Sequence, residues 1–311
     1  YRVKIGSQTL NAWQAVQAYC DSIRGMGYQL SSRMADNFVV YNEPSEENIF
    51  TIPMDKHALQ NQMQYLFRSR HYNHGKAYGL SGENGTSATI ETLRTFGYDT
   101  DSVDHRFEDS FFAGTVLDPN GNPVKLDDGS TLEYLPWPIR LDVSAQPYEK
   151  SAGARMKKYE VDLKSTKDGK LSDNDIVLFR YADVLLMWAE ALVEKGDLSG
   201  AMSKVKEVRD RVGIPTMASS FSDQTTARNY VRDERRREFV NEGVNFFDEM
   251  RWRTLKETKF DEKVAQHAWG GSESTGGTVY DWIGEQWYTW PAPKSEIELN
   301  PNLTRTPGWE Y

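Results

Sequence analysis

Apolar residues recur at three- and four-residue steps at Leu10, Trp13, Val16, Cys20 and Ile23. That spacing lines one helical face, and it predicts a helix over residues 9–23. Thr9 or Asn11 is placed to cap it, and Gly25 to stop it. Residues 28–30 and 49–52 read as short extended pieces, and residues 53–67 as a short polar helix. Periodicity then fails over residues 68–85, a stretch rich in Gly, Asn, His and Tyr that predicts a long ordered loop. A helix over 86–96 follows. DPNGN and DDGS are turn signals between short apolar runs, so residues 116–135 read as β-hairpins. The PWP at 136–138 is a rigid break.

Beyond Ser172 the pattern is helical. Val177, Tyr181, Val184, Leu185, Trp188 and Leu192 share a face of a helix expected over 176–195, closed by Gly196. Residues 198–212 form a second helix, with Asp197 or Ser199 as cap and Gly213 as stop. The pair is a helical hairpin of tetratricopeptide-like size, although no clean repeat is present. Helices over 223–241 and 246–256 follow, then a loop-like tail from residue 259. The fold class expected is mainly α, with helical hairpins, long loops and a few short β-hairpins.

Composition narrows the function. A chain of 311 residues with 27% charged and 38% hydrophobic residues can bury a core. A formal charge of -9 disfavours sequence-independent nucleic-acid binding, which needs clustered cations. The single cysteine, Cys20, cannot make an internal disulfide or a Cys-based zinc site. It reads as a small buried hydrophobe on a helix face. No run of about eighteen apolar residues is long enough for a membrane-spanning helix.

Catalytic motifs are lacking: there is no Walker loop, nucleophile elbow or dinucleotide fingerprint. His71 and His74 lack the helical context and third ligand of a metal site. Asp118, Asn120 and Asn122 read as a hairpin turn rather than a calcium loop, since Pro123 breaks the pattern. Glu46 and Glu47 are adjacent and should point apart, unlike the facing carboxyls of a glycosidase. Arg232 and Arg236, with Glu234, Glu238 and Glu242, read as an ion network on one helix. The chain is also unusually aromatic, with nine Trp, sixteen Tyr and thirteen Phe. Tyr72 and Tyr78, with Asn73, His74, Glu83 and Asn84, bring stacking faces and planar hydrogen-bonding groups into one loop, the chemistry that recognises sugar rings. Trp269, Tyr280 and Trp282 form a second such group.

Several segments in order resemble the SusD/RagB family. DIVLFRYADVLLMWAEALVEKGD is similar to that family's Arg-Tyr-Ala-Asp helix, and AMSKVKEVRDRVGIP to the helix after it, with Lys206 and Val212 departing from the usual Asn and Ala. VRDERRREFVNEGVNFFDEMRW and WPAPKSEIELNPNLTRTPGW resemble its last two segments, with Ala292 for Ile and Arg305-Thr306 for Gln-Asn. GYQLSSRMADNFVV, SEENIFTIPMD, YDTDSVDHRFEDSFF and ARMKKYEVD continue the likeness upstream.

The resemblance implies a SusD-like helical fold over residues 1–311. A helical part (1–67), a loop- and hairpin-rich ligand-binding part (68–171) and a C-terminal helical part (172–311) would make up one domain. It implies a protein that is not an enzyme and uses no cofactor or metal. Its ligand would be an oligosaccharide or polysaccharide, delivered to a SusC-like TonB-dependent transporter. Family members sit on the outer membrane at the cell surface through an N-terminal lipid anchor. Tyr1 falls well inside the family pattern, so the chain is expected to lack N-terminal helices. Oligopeptide capture and an α-helical glycoside hydrolase are the alternatives. The family's ligand residues vary, so the six loop residues rest on location and chemistry.

Overall fold

The structure is a computed structural model, and it describes residues 2–59, 69–98, 100, 102–137, 151–213, 220–255 and 284–310. It is mainly α with short two-stranded sheets, as expected. The first elements are β1 (Arg2–Ile5), β2 (Gln8–Asn11) and α1 (Ala12–Arg24). The predicted start of α1 is shortened because Thr9 joins the β1–β2 hairpin. Asn11 then caps the helix in a reciprocal box: it accepts from the Gln14 N–H at 2.9 Å while its own N–H donates to the Gln14 side chain at 3.0 Å.

Helices α5 (Tyr181–Glu194), α6 (Leu198–Arg211) and α7 (Gln224–Phe239) pack with α1 around the main core. Leu185, Trp188, Leu192, Val205, Val208 and Val231 fill that core beside Cys20. Full burial of a side chain such as Leu185 stabilises by about 1.5–3 kcal/mol. The α5–α6 hairpin turns at Gly196, whose φ of +85° is the left-handed conformation that glycine adopts without strain. Asp197 and Asp223 cap α6 and α7.

The helix expected over 176–195 is two elements. Ile176–Arg180 is a strand, β8, paired antiparallel with β3 (Asn48–Ile52). Its β-branched and aromatic residues suit a pleated surface, and the partner lies far off in sequence. Residues 53–59 make a turn with a bridge between Asp55 and Leu59, not the start of a helix. The rest of that expected helix lies outside the described residues.

The middle of the chain builds the rim of the helical core. It contains α2 (Tyr72–Ala77), α3 (Ile90–Thr95), α4 (Arg106–Ser110), β4 (Phe111–Phe112), β5 (Gly114–Thr115), β6 (Glu133–Tyr134) and β7 (Arg155–Met156). The expected hairpins are present: β5 pairs with β6, and bridges join Leu117 to Pro123 and Lys125 to Thr131. Phe96, Phe107 and Phe111 stack together under α3. The chain continues through α8 (Asn245–Trp252) and α9 (Lys294–Leu299). Arg253, at φ +57°, ends α8.

Candidate functional site

The loop predicted over 68–85 folds around the short helix α2. Its N-terminus is capped by His71, whose ring Nδ1 accepts from the Asn73 N–H at 3.1 Å. The chain after the helix doubles back and touches it backbone to backbone. A Cβ on Gly75 would lie 2.6 Å from the Gly82 nitrogen, and one on Gly82 would lie 2.5 Å from the His71 oxygen. Glycine is required at both places.

That fold separates the six expected residues. His74 is buried, with 0% exposure, against Tyr78, Phe112 and Tyr134. Its Nδ1 lies 3.0 Å from the Tyr134 hydroxyl. Burial, then the nearby Arg70 and His71, push its pKa down to about 3, so the ring is neutral. A ring so placed holds the loop to the hairpin and has no surface from which to touch a ligand. Asn73 does similar work, donating to the Lys125 carbonyl at 2.8 Å and to Asp127 at 3.1 Å. Asn84 takes a φ of +46° and accepts from Arg155 at 2.9 Å. Tyr72 and Glu83 are exposed, Tyr72 by 60%. Six residues is about 1.7 helical turns, so Tyr72 and Tyr78 leave α2 on different sides.

Tyr78 is the residue that meets a cavity. It lines two adjoining clefts, of about 630 Å³ and about 410 Å³, and Phe112 and Lys157 line both with it. Tyr98 and Phe107 extend the aromatic wall of the first. Val39, Glu160, Val161 and Leu163 carry the second into a third cleft of about 430 Å³ that reaches Tyr41. Burial raises the pKa of the Tyr78 phenol, so it stays a neutral donor and acceptor.

Lys157 supplies the cation at the junction. Its ammonium sits 5.5 Å from the centre of the Phe112 ring and donates to the Glu108 carbonyl at 2.8 Å. Desolvation lowers its pKa, against the pull of Asp109 and Glu108. The next residue, Lys158, also borders the second cleft, but it is buried and its ammonium is paired with Glu242 at 2.7 Å. Lys158 adopts a left-handed φ of +48° just past β7, and that turn of the backbone carries its ammonium to Glu242.

Beneath the clefts lies a buried ion network. Arg106 bonds Asp104, Glu234 and Glu238, and Arg180 bonds Glu47, Glu238 and Glu242. Arg209 reaches Glu234, and Arg211 reaches both Glu47 and Glu238. Burial alone would raise the Glu238 pKa, but Arg211, Arg180 and Arg106 outweigh it and hold the carboxyl well below its usual range. The network expected on the surface of one helix is thus internal and joins five segments. Its partners Glu47, Asp104 and Arg106 are not legible from helical spacing. Arg232 stands apart from it over the Trp252 ring, and Arg236 pairs with Glu91 and Asp233.

Other candidates fall into structural places. Glu47 is in the network while Glu46 is exposed, so the two do point apart. Asp118 accepts from the Asn120 and Asn122 N–H groups at 2.8 Å each, which is a hairpin turn. Cys20 is buried with its thiol toward the Val184 carbonyl. Trp269, Tyr280 and Trp282 lie outside the described residues. The cleft residues Tyr98, Phe107, Phe112 and Lys157 were missed. The GYDT, FEDSFF and MKK runs that hold them read equally well as core and surface.

Residues 46–309 match the SusD family. The chain belongs to the SusD family. Among its relatives, a SusD-like protein of Formosa agariphila is 32% identical over 105 residues, covering 30% of this chain and 21% of the relative. The starch-binding protein SusD of Bacteroides thetaiotaomicron is 27% identical over 152 residues, covering 49% of this chain and 25% of the relative. The chain thus matches a quarter or less of these relatives' length. Solved SusD structures share the fold. A SusD-like protein of Bacteroides fragilis superposes with a TM-score of 0.68 at 22% identity, over 96% of this chain and 62% of that one. A laminarin-binding SusD-like protein gives 0.64 at 18%, over 96% and 59%. The SusD relatives include proteins named for glycan binding. Among the described residues, no helix is long and apolar enough to cross a membrane, and no His, Cys, Asp and Glu group could hold a metal ion.

Proposed function

We propose that this SusD-family chain captures an oligosaccharide at the cell surface, without chemistry, and delivers it to a SusC-like TonB-dependent transporter in the outer membrane. The observation that carries the reading is the run of joined clefts in which Tyr78, Phe112 and Lys157 converge. An aromatic face takes the apolar side of a sugar ring, and the phenol and ammonium bond its hydroxyls. Tyr72 and Glu83 are exposed on the same loop outside these clefts, where a longer glycan would reach them. Asn73, His74 and Asn84 hold that loop in shape. A lipid anchor in the full-length protein would keep the clefts facing outward.

The test is calorimetric titration with maltohexaose and laminarihexaose, sugars chosen for the starch- and laminarin-binding relatives, with product analysis of the mixtures. Tyr78→Ala should weaken binding about tenfold, from loss of a stacked ring and its hydroxyl bond. Unchanged affinity would remove the clefts from the site, and released shorter sugars would overturn capture in favour of hydrolysis.

A further inference from the structure

A separate cleft of about 530 Å³ lies between α3, the C-terminal end of α7 and the start of α8. It shares no lining residue with the clefts around Tyr78. Met156 lines it, whereas the adjacent Lys157 lines the other clefts, so the two sites flank one extended segment. We infer that this cleft is a second sugar-binding site, for an uncharged pyranose unit of the same glycan. The inference rests on the glycan-binding reading above.

The size suits a small ligand. One wall is aromatic. Phe246 lines it and is 43% exposed, with Phe96 and Phe239 behind it. Large aromatics left open beside a cleft are the usual means of stacking a sugar ring. The other wall is polar and of both senses. Arg236 and Glu91 form an ion pair at 3.4 Å. Asn245 donates from its amide nitrogen to Glu249 at 3.1 Å, which leaves its amide oxygen buried and unbonded. The Arg236 Nε is also without a partner. Unbonded buried polar atoms are uncommon, and here one acceptor and one donor belong to the same cleft.

That combination selects the ligand class. Neighbouring sugar hydroxyls both donate and accept, so they can bond Asn245 and Arg236 together. An anion would meet the Glu91 carboxylate, and an apolar ligand would leave both polar atoms unbonded.

The test follows the Met156 side chain directly. The chain carrying ¹³C-methyl methionine is titrated with maltohexaose and laminarihexaose by NMR, with calorimetry in parallel. The methyl signal of Met156 should shift saturably with a sugar that binds, while that of the exposed Met26 stays still. Phe246→Ala should weaken that titration about fivefold, from loss of the stacked ring. Thr95 at the end of α3 also lines the cleft, so the shape-conserving Thr95→Val should weaken it too, and Tyr78→Ala should leave it in place. A sugar that binds by calorimetry without moving Met156 overturns the second site and leaves the first standing. So does a Met156 shift that vanishes in Tyr78→Ala and is untouched by Phe246→Ala. If neither sugar binds anywhere, both readings fail together.

Discussion

Replacing Glu238 by Gln removes one charge and changes almost no volume. The carboxylate is fully buried and accepts from Arg106 at 2.8 Å, from Arg180 at 2.6 Å and from Arg211. Those three guanidiniums stay buried when the charge is gone. Breaking a buried ion pair from one side costs about 3–5 kcal/mol, because the remaining charge keeps its desolvation penalty. A domain's whole stability is about 5–15 kcal/mol, so the loss is a large share of it. A surface pair provides the contrast. Asp210 meets Lys206 one helical turn away with both side chains more than half exposed, and Asp210→Asn should change stability by only a few tenths of a kcal/mol. Urea unfolding of the three proteins measures both effects as shifts in midpoint at constant slope. A Glu238→Gln loss below about 1 kcal/mol, or one equal to that of Asp210→Asn, would refute the claim that the internal charges hold these segments together.

Acid should destabilise the fold in two stages. His74 is held neutral with a pKa near 3 against 6.5 when free, so the unfolded chain binds a proton first and stability falls as pH drops below about 6.5. Glu234 sits near 2 against 4.5, so its contribution is present above 4.5 and is lost as pH falls toward 2. Urea midpoints measured against pH should show both, and His74→Gln should abolish the first. The Cys20 thiol, pushed up to about 12 by burial and then by Asp183 and Asp21, should resist iodoacetamide at pH 8 until the chain unfolds. Fast labelling of the native protein would contradict its burial. Gly75→Ala should force the chain around Gly82 off α2 and expose the loop to limited proteolysis, while the unfolding of the helical core, followed by circular dichroism, stays close to wild type. Equal protease resistance would show that the contact yields easily.

Much of the helical half was legible because its signals are local. Asn11 and Asp197 cap where caps were expected, and Gly196 and Gly213 stop helices within a residue of the predicted places. The strand Ile176–Arg180 was not, since an apolar run carries no mark of its period until β3 pairs with it. The short α2 was missed for a related reason: six residues do not make a stable helix alone, and contacts with Tyr134 and Gly82 hold this one. In the candidate site, Tyr78 was singled out because its surroundings were polar and glycine-rich, and the structure places it along the clefts. The same signal misplaced His74 and Asn84, because a loop needs polar residues for its own hydrogen bonds as much as for a ligand. Phe112 and Lys157 become cleft residues only once β4 pairs with β7, which short-range pattern does not encode.

Lys157 and Lys158 separate what the fold needs from what the ligand needs within two adjacent positions. Lys158 is clamped by Glu242 and the Glu238 carbonyl, so the backbone beside it is held whatever side chain occupies position 157. Exchanging Lys157 for another residue would then retune recognition without disturbing the scaffold. Inserting a single residue ahead of the pair would do the reverse: it would push Lys158 out of the left-handed position from which it reaches Glu242 and shift Lys157 off the junction of the clefts. Position 157 is therefore open to substitution but closed to changes in length.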